Sequence, residues 1–254
     1  MTKTVNISKI ETHKQGLSDK APFAYSSKEE RNRKNTPPER GRHIPRHIGI
    51  IPDGNRRWAI KNGMAKAHGY QYGVEPGVAL FDLCAELGVE ELTWYGFTKD
   101  NTKRSADQTS AFQTACVDAV RAISSRDTNI LVVGDTESRM FPKELLPYAG
   151  NCECESTGMR TNMLVNYGWE WDLAFAERQS ETKKPISQRI GSSQISRIDL
   201  IIRWGGRRRL SGFLPVQSVY SDFFVVDEMW PDFKKEHLYA ALDWYQHQDP
   251  TLGG

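Results

Sequence analysis

HIGIIPDGNRR, at positions 47–57, joins a short apolar run to a turn that is followed by two arginines. The apolar run predicts a buried strand, and the turn-prone DGN predicts a loop at the carboxyl end of that strand, where α/β sheets bind their ligands. Asp53 could hold a divalent ion, and Gly54 permits a tight turn. Arg56 and Arg57 could each bind phosphate oxygens with two hydrogen bonds. A DGN turn also occurs as a plain surface turn, so this stretch alone leaves both interpretations open.

Strands and helices alternate along the rest of the folded part. Apolar residues at helical spacing predict helices at 74–87, 106–124 and 235–248. Short apolar runs predict further strands at 92–98, 129–135, 163–168, 198–206 and 223–228. This alternation predicts an α/β fold, a single domain over 47–254 with a central parallel sheet flanked by helices.

Two further polar clusters follow predicted strands. The segment TKDNTKR at 98–104 combines hydroxyl, amide and cationic donors. The segment RWGGRRRLS at 203–211 leaves a strand through two glycines and carries four arginines and a serine. That arrangement favours anion binding over a solvated charge run. Asp222 comes 13 residues after Arg209 and is interpreted either as a second metal carboxylate or as a helix N-cap.

The composition excludes several classes of protein. The chain has 254 residues with 38% hydrophobic content, which suffices for one large domain or two small ones, and its net charge of +2 does not indicate a nucleic-acid partner. No apolar run approaches the ~20 residues that cross a bilayer, and no signal-peptide core is present, so a cytoplasmic location is predicted. The four cysteines lack CxxC spacing and are interpreted as reduced structural thiols.

Residues 1–46 are polar and basic. The first 48 residues hold eleven lysines and arginines and five acidic residues, a net charge of +6, so the remainder carries −4. No apolar period persists in this segment, which predicts a disordered tail. The tail either keeps the protein soluble or makes an electrostatic contact with anionic lipid or a phosphorylated ligand.

Motifs of several enzyme classes are missing from the sequence. It has no GxxxxGK[ST] loop, no GxGxxG after a strand, no GxSxG and no HExxH. The sequence therefore gives no motif evidence for nucleotide hydrolysis, hydride transfer, esterase activity or zinc-protease activity. The polar residues that remain at strand ends are of the types that bind phosphate.

The sequence resembles the cis-prenyltransferases, the undecaprenyl diphosphate synthase family. The matching motifs follow the family's order over residues 47 to 248: HIGIIPDGNRRWA, GYQYG, TWYGFTKDNTKR, VVGD, NYG, DLIIRWGGRRRLSGF, QSVYSDFF and WPDF. The resemblance implies a homodimer whose α/β fold holds the growing chain in a hydrophobic tunnel. It also implies transfer of an allylic prenyl group from its diphosphate to isopentenyl diphosphate, with Mg²⁺ as cofactor. Peripheral membrane contact is a further implied possibility.

The resemblance assigns roles residue by residue. Asp53 matches the magnesium and diphosphate carboxylate, and Asp222 stands where the family has a glutamate that helps hold magnesium. Asn101 and Arg104 match the catalytic asparagine and arginine. The implied diphosphate-binding residues are Gly54, Asn55, Arg56, Arg57, Trp58, Lys66, Arg203, Arg209 and Ser211.

The departures from the family pattern concern substrate handling. Tyr70 replaces the histidine of GHxxG, and the glutamate after the glycine pair of RTGGE is replaced by Arg207. Such changes are similar to lavandulyl-type members, which join short allylic units irregularly. Four bulky residues would narrow a tunnel if they face it: Tyr70, Tyr72, Trp169 and Trp204. We therefore expect a short, irregular or cyclised isoprenoid.

Three alternatives stay open at this stage. One is a long-chain polyprenyl diphosphate synthase that makes a glycan lipid carrier. Another is a non-catalytic subunit that binds prenyl diphosphate and supports an active partner. The third is a terpene-synthase-like conversion of one allylic diphosphate without an acceptor.

Overall fold

The structure is a computed structural model, and it describes residues 43–150, 156–178 and 183–248. Within these residues six strands form one sheet: β1 (His47–Ile51), β2 (Glu91–Tyr95), β3 (Thr128–Val133), β4 (Met159–Leu164), β5 (Leu200–Arg203) and β6 (Asp222–Val225). Their order is β3-β4-β2-β1-β5-β6, and all neighbouring strands are parallel. The predicted α/β fold with a central parallel sheet is confirmed. The predicted tail, apart from its last four residues, lies outside the described residues.

Helices cover the sheet. The α-helices of the described segments are α1 (Asn55–Lys61), α2 (Val74–Glu86), α3 (Ala106–Ser124), α4 (Trp169–Arg178) and α5 (Lys235–Tyr245). Short 3-10 helices lie at Lys66–Gly73, Lys99–Lys103, Lys143–Tyr148, Ile186–Gln188 and Trp230–Asp232. The predictions for α2 and α3 are confirmed to within a residue, whereas α5 ends three residues earlier than predicted.

The sheet is apolar on both faces because side chains alternate along each strand. In β1, Ile48 and Ile50 belong to the larger core, which also contains buried residues of α2, α3 and α5. Ile51 belongs to the smaller core on the opposite face, together with Ile201 and Phe213. Because both faces of β1 are buried, HIGII does not alternate between apolar and polar residues.

The strand order places a crevice at the carboxyl end of β1. The chain continues from β1 to β2 on one side, whereas β5 and β6 pair on the other side. The loops that leave neighbouring strands diverge where the order reverses, and ligands of open α/β sheets bind there. Asp53 follows β1 directly, so the fold positions its carboxylate at this point.

The predicted strand at 163–168 is wrong in its boundaries, because β4 spans Met159–Leu164. Its first half contains Thr161 and Asn162, which are almost fully buried although polar. The Asn162 side-chain amide donates to Glu91 Oε1 (2.6 Å) and to Thr93 Oγ1 (2.9 Å) on β2. These hydrogen bonds satisfy the Asn162 side-chain N–H groups inside the sheet, whereas its Oδ1 has no hydrogen-bond partner among the described residues. An apolar pattern cannot detect a strand with buried polar residues of this kind.

The two cysteines in the described segments are free thiols. Cys84 and Cys116 are buried, and burial raises the pKa of each to about 12. This agrees with the predicted structural role for these two, whereas Cys152 and Cys154 lie outside the described residues. No helix in the described parts of the chain is long and apolar enough to cross a membrane.

Candidate active site

A polar cavity of about 390 Å³ lies at the carboxyl edge of the sheet and brings the three predicted clusters together. The loop after β1 contributes Asp53, Gly54, Asn55, Arg56 and Arg57. The loop after β2 contributes Asn101 and Arg104, and the loop after β5 contributes Arg203, Arg209 and Ser211. Tyr70 also lines this cavity. Residues up to 158 positions apart in sequence thus form one site.

The Asp53 carboxylate lies between two arginines. Arg203 Nη2 donates to Asp53 Oδ2 over 2.9 Å, and Arg57 Nη2 lies 3.5 Å from Asp53 Oδ1. Arg203 is only 4% exposed, so its charge requires a nearby anion. Arg203 Nη1 also donates to Ser211 Oγ (3.0 Å) and to the carbonyl oxygen of Arg209, while its buried Nε has no partner. These hydrogen bonds fix the guanidinium, and its Nε–H remains an unpaired donor among the described residues.

Gly205 permits the close approach of two loops of the site. Its φ is +82°, and a Cβ at this position would lie 2.4 Å from Arg57 Nη2 and 2.9 Å from the Asp53 carbonyl oxygen. Arg57 Nη2 donates to the Gly205 carbonyl oxygen over 2.8 Å. A larger residue would displace Arg57. This close approach explains why a glycine stands at position 205 of the RWGGRRRLS segment.

Arg104 and Tyr70 form the opposite wall of the cavity. Arg104 Nη1 donates to the Tyr70 hydroxyl over 2.7 Å, and the Tyr70 ring stacks on Phe112 with centroids 4.5 Å apart. Burial lowers the pKa of Arg104 and raises that of Tyr70, and the raised pKa favours the neutral phenol. Asn101 Oδ1 accepts the Thr98 N–H (3.1 Å), which fixes the turn that carries Arg104.

A second, apolar cavity of about 60 Å³ adjoins the polar one. The two cavities share Pro52, Asn55, Tyr70, Gly96 and Phe112. The remaining lining comes largely from α2, α3 and the sheet, and includes Trp94, Cys116, Ile123, Met163 and Trp230. An apolar space of this kind is suited to a hydrocarbon group whose charged end lies in the polar cavity.

Of the four predicted tunnel residues, only Tyr70 lines either cavity. The Tyr72 ring packs on Trp58 with centroids 4.8 Å apart, and Tyr72 is 43% exposed. Trp169 is equally exposed and lies against Gly212. These two rings do not narrow the cavities of this conformation.

Trp204 also lies away from both cavities, which corrects the prediction that it shapes the tunnel. It is fully buried, with its ring 4.9 Å from Trp230 and 5.9 Å from Phe233. Its Nε1–H donates to His237 Nδ1 of α5 over 3.3 Å. The reason is strand alternation: Leu200, Ile202 and Trp204 all belong to the larger core, whereas Arg203 points to the other side.

Asp222 does not share an ion with Asp53 within one chain. Asp222 begins β6 and pairs with Leu200, which in turn pairs with Ile48 near the start of β1. Asp53 lies beyond the other end of β1, so the two carboxylates are at least about 10 Å apart along the strands. Magnesium ligands lie at about 2.1 Å from the ion. The expectation of a joint metal site is therefore wrong for a single chain.

Two predicted diphosphate ligands, Lys66 and Trp58, lie outside the cavity lining. Lys66 is exposed in the 3-10 helix before α2. Trp58 Nε1 donates to Asp232 Oδ1 over 2.7 Å, which links α1 to the segment before α5. These contacts give Trp58 a structural role in the observed conformation.

The donor set fits a magnesium ion that is shared with a substrate. The carboxylates that line the cavity belong to Asp53 and Asp100, and Asp100 pairs with Lys103 over 2.6 Å. Among the described residues there is no group of three His, Cys, Asp or Glu side chains that could hold a metal by itself. Mg²⁺ typically uses one or two carboxylates together with substrate phosphates and water. Asp53 and diphosphate oxygens meet that requirement.

Tyr95 and Phe112 line the polar cavity but were not predicted as site residues, whereas Arg207 lines it as part of the arginine run for which anion binding was predicted. The Tyr95 hydroxyl donates to the Ser211 carbonyl oxygen over 2.7 Å. Ser211 has a positive φ of 55°, so this bond fixes an unusual backbone conformation. Tyr95 lies within the strand predicted at 92–98 and Phe112 lies in a predicted apolar stripe, so their patterns indicated only core packing.

Comparison with known proteins identifies the fold and the family. A family description, "Putative undecaprenyl diphosphate synthase", matches residues 51–253. The chain is 31% identical to a (2E,6E)-farnesyl-diphosphate-specific undecaprenyl diphosphate synthase from Escherichia coli K12, with 84% of this chain and 91% of that protein covered. It is 28% identical to the corresponding synthase from Photorhabdus laumondii, over 83% and 90%.

The crystal structure of lavandulyl diphosphate synthase from Lavandula x intermedia in complex with dimethylallyl diphosphate has the same fold. The TM-score is 0.74 at 26% identity, and the match covers 83% of this chain and 98% of that one. Together with the family match over 51–253, this places the chain in the undecaprenyl diphosphate synthase family, the cis-prenyltransferases, whose members transfer prenyl groups.

Proposed function

We propose that this protein is a Mg²⁺-dependent prenyltransferase that makes a short isoprenoid. It joins an allylic prenyl diphosphate (dimethylallyl, geranyl or farnesyl) to isopentenyl diphosphate or to a second short prenyl diphosphate. The allylic C–O bond breaks, diphosphate leaves with the electron pair, and a C–C bond forms to the acceptor. The acceptor then loses a proton to the released diphosphate or to water, which restores its double bond. The product is short and can be irregular or cyclised.

The observation that carries this proposal is the junction of the two cavities. The arginine-rich cavity suits diphosphates, and the apolar cavity begins at the wall formed by Tyr70 and Phe112. At about 60 Å³ it is smaller than the roughly 150 Å³ cavity that holds benzene in an engineered protein. Any prenyl chain therefore requires some opening of this cavity, and a long chain requires much more than a short one.

The chain's own residues have distinct proposed roles. Asp53 would hold Mg²⁺ together with diphosphate oxygens, and the ion when bound stabilises negative charge on the leaving group. Arg57 and Arg104 would bind the allylic diphosphate, and Arg203 with Ser211 would bind that of the acceptor. Positive groups fixed in advance stabilise the charge that develops as the C–O bond breaks. The apolar wall would exclude water from the allylic cation.

The direct test is product analysis. The purified full chain is incubated with Mg²⁺ and dimethylallyl, geranyl or farnesyl diphosphate, each with and without isopentenyl diphosphate. The products are dephosphorylated and identified by mass spectrometry. We expect a short product. A product from one allylic diphosphate alone would indicate either irregular coupling or cyclisation, and its carbon number separates the two.

The other outcomes decide between the alternatives. A long polyprenyl product would replace the short-chain proposal with synthesis of a long polyprenyl diphosphate for a glycan lipid carrier. Binding of prenyl diphosphate without turnover in any mixture, or turnover only after a second chain is added, would instead support the non-catalytic subunit.

We further propose that the protein forms a homodimer in the cytoplasm. Strand β6 lies at an edge of the sheet, and the preceding Val219 and Tyr220 are 65% and 57% exposed. An open strand edge beside exposed apolar residues supports an interface. Sedimentation of the full chain should give twice the mass of 28.9 kDa. The basic tail is the proposed membrane contact, and co-sedimentation with anionic vesicles tests it.

A further inference from the structure

The polar cavity contains more positive charge than its carboxylates can balance. Six of its lining residues are arginines, at positions 56, 57, 104, 203, 207 and 209, whereas two are aspartates, at positions 53 and 100. Asp53 pairs with Arg57 and Arg203, and Asp100 pairs with Lys103. Arg104 and Arg56 donate to the neutral partners Tyr70 and Gln108. The guanidiniums of Arg207 and Arg209 face the cavity without an ion pair or hydrogen bond to any described residue.

The backbone of Arg207 is held in place although its side chain is exposed. The Gly205 N–H donates to the Glu228 carbonyl oxygen (2.7 Å), and the Gly206 N–H donates to the Val226 carbonyl oxygen (3.0 Å). Both glycines have positive φ values, +82° and +70°. These bonds tie the start of the arginine run to the segment after β6. The backbone that precedes Arg207 is therefore held beside the cavity that this residue lines.

Arg208 provides an internal comparison. It is adjacent, equally charged and also exposed, yet it does not line the cavity. Any effect of net charge on a bound anion is nearly the same for both residues because they are neighbours in an exposed loop. Of these two residues, only Arg207 lines the cavity and could contact a bound anion.

We propose that Arg207 is a diphosphate-binding residue and that it supplies positive charge that a divalent cation would otherwise supply. The proposal rests on the proposed function, because it assumes that the cavity takes diphosphates. An arginine can hold two phosphate oxygens with parallel hydrogen bonds, whereas Mg²⁺ would neutralise the same oxygens. Wild-type protein should therefore bind diphosphate measurably without metal.

Isothermal titration calorimetry with inorganic pyrophosphate tests this, once in EDTA and once with Mg²⁺. In EDTA we expect Arg207→Gln to bind about tenfold more weakly than wild type, because a charge-assisted hydrogen bond is lost. Arg208→Gln should stay within twofold. Arg207→Lys should recover only part of the affinity, since lysine lacks the fork. Mg²⁺ should strengthen binding more in Arg207→Gln than in wild type.

The outcomes separate this inference from the proposed function. Equal pyrophosphate affinity of Arg207→Gln and Arg208→Gln would show that Arg207 does not contact the bound diphosphate. If wild-type protein binds pyrophosphate only in the presence of Mg²⁺, Arg207 does not replace the charge of a divalent cation. The proposed function would then still stand. No binding under either condition would contradict both. Thermal unfolding of each variant shows that the compared proteins are folded.

Discussion

Arg203 Nη2 donates to Asp53 Oδ2 over 2.9 Å and joins residues that are 150 positions apart in sequence. Each residue follows or ends a neighbouring parallel strand, so the pairing of β1 with β5 creates the contact. Arg203 is almost fully buried, whereas Asp53 has one side open to the cavity. The pair therefore belongs both to the fold and to the proposed site.

Asp53→Ala tests the metal and diphosphate assignment. We expect turnover to fall by about a thousandfold or more, which corresponds to ~4 kcal/mol of transition-state stabilisation. The buried Arg203 also loses its anion, so the free energy of unfolding should decrease by about 1–3 kcal/mol. Product assays and urea titration measure the two effects. Near-wild-type kinetics would contradict the assignment, and Asp232→Ala, outside the cavity, is the control.

Tyr70→Phe separates the two contacts of that residue. The variant keeps the stack on Phe112 but removes the hydroxyl that accepts from Arg104. We expect kcat to fall about tenfold with the same products, because Arg104 loses its orientation. Steady-state kinetics with product identification provides the measurement. The exposed Tyr72→Phe should behave as wild type, and an unchanged kcat in Tyr70→Phe would show that the hydroxyl does not orient Arg104.

Ile123→Ala tests whether the apolar cavity limits product length. Ile123 lines this cavity from the last turn of α3, so its truncation enlarges the space by most of a side chain. We expect the product distribution to shift toward longer chains. Val120→Ala, a buried change on the same helix outside the cavity lining, should lower stability without altering the products. Identical product spectra of both variants would show that this cavity does not limit product length.

Trp204→Thr should affect stability rather than product length. The indole is fully buried between Trp230 and Phe233, so its removal leaves a large cavity in the core. Such truncations typically cost about 3–5 kcal/mol. Thermal or urea unfolding measures the loss. A stable variant that makes longer products would show that Trp204 limits product length and would contradict its assignment to the core alone.

His47 gives the folded protein a pH dependence. Burial lowers its pKa, while Glu91 at 4.0 Å opposes the shift only in part. The unfolded histidine takes up a proton near pH 6.5 and the folded one only at lower pH, so stability falls as the pH drops below about 7. The slope reaches at most about 1.4 kcal/mol per pH unit.

Urea unfolding between pH 7.5 and 5.5 measures that slope. His47→Gln should reduce it, whereas the exposed His68→Gln should leave it unchanged. Burial also lowers the pKa of His237, so part of the slope should remain in the His47 variant. An undiminished slope in His47→Gln would assign the effect to other groups.

The parallel α/β sheet and the polar loops of the candidate site were predictable from the amino-acid sequence. Apolar runs buried on both faces are local signals, and so are the polar clusters that follow them. Asp53, Arg104 and Arg203 were predictable because the carboxyl ends of parallel strands share one edge of the sheet.

Contacts made in the folded chain determine which bulky and acidic residues face that edge. Trp204 points into the core because it alternates with Arg203, and Asp222 lies at the far edge because β6 pairs with β5 from its first residue. Tyr70 reaches Arg104 across 34 positions. The physical reason is that side-chain direction and strand register depend on contacts between segments distant in sequence, whereas residue type and spacing record only what is local.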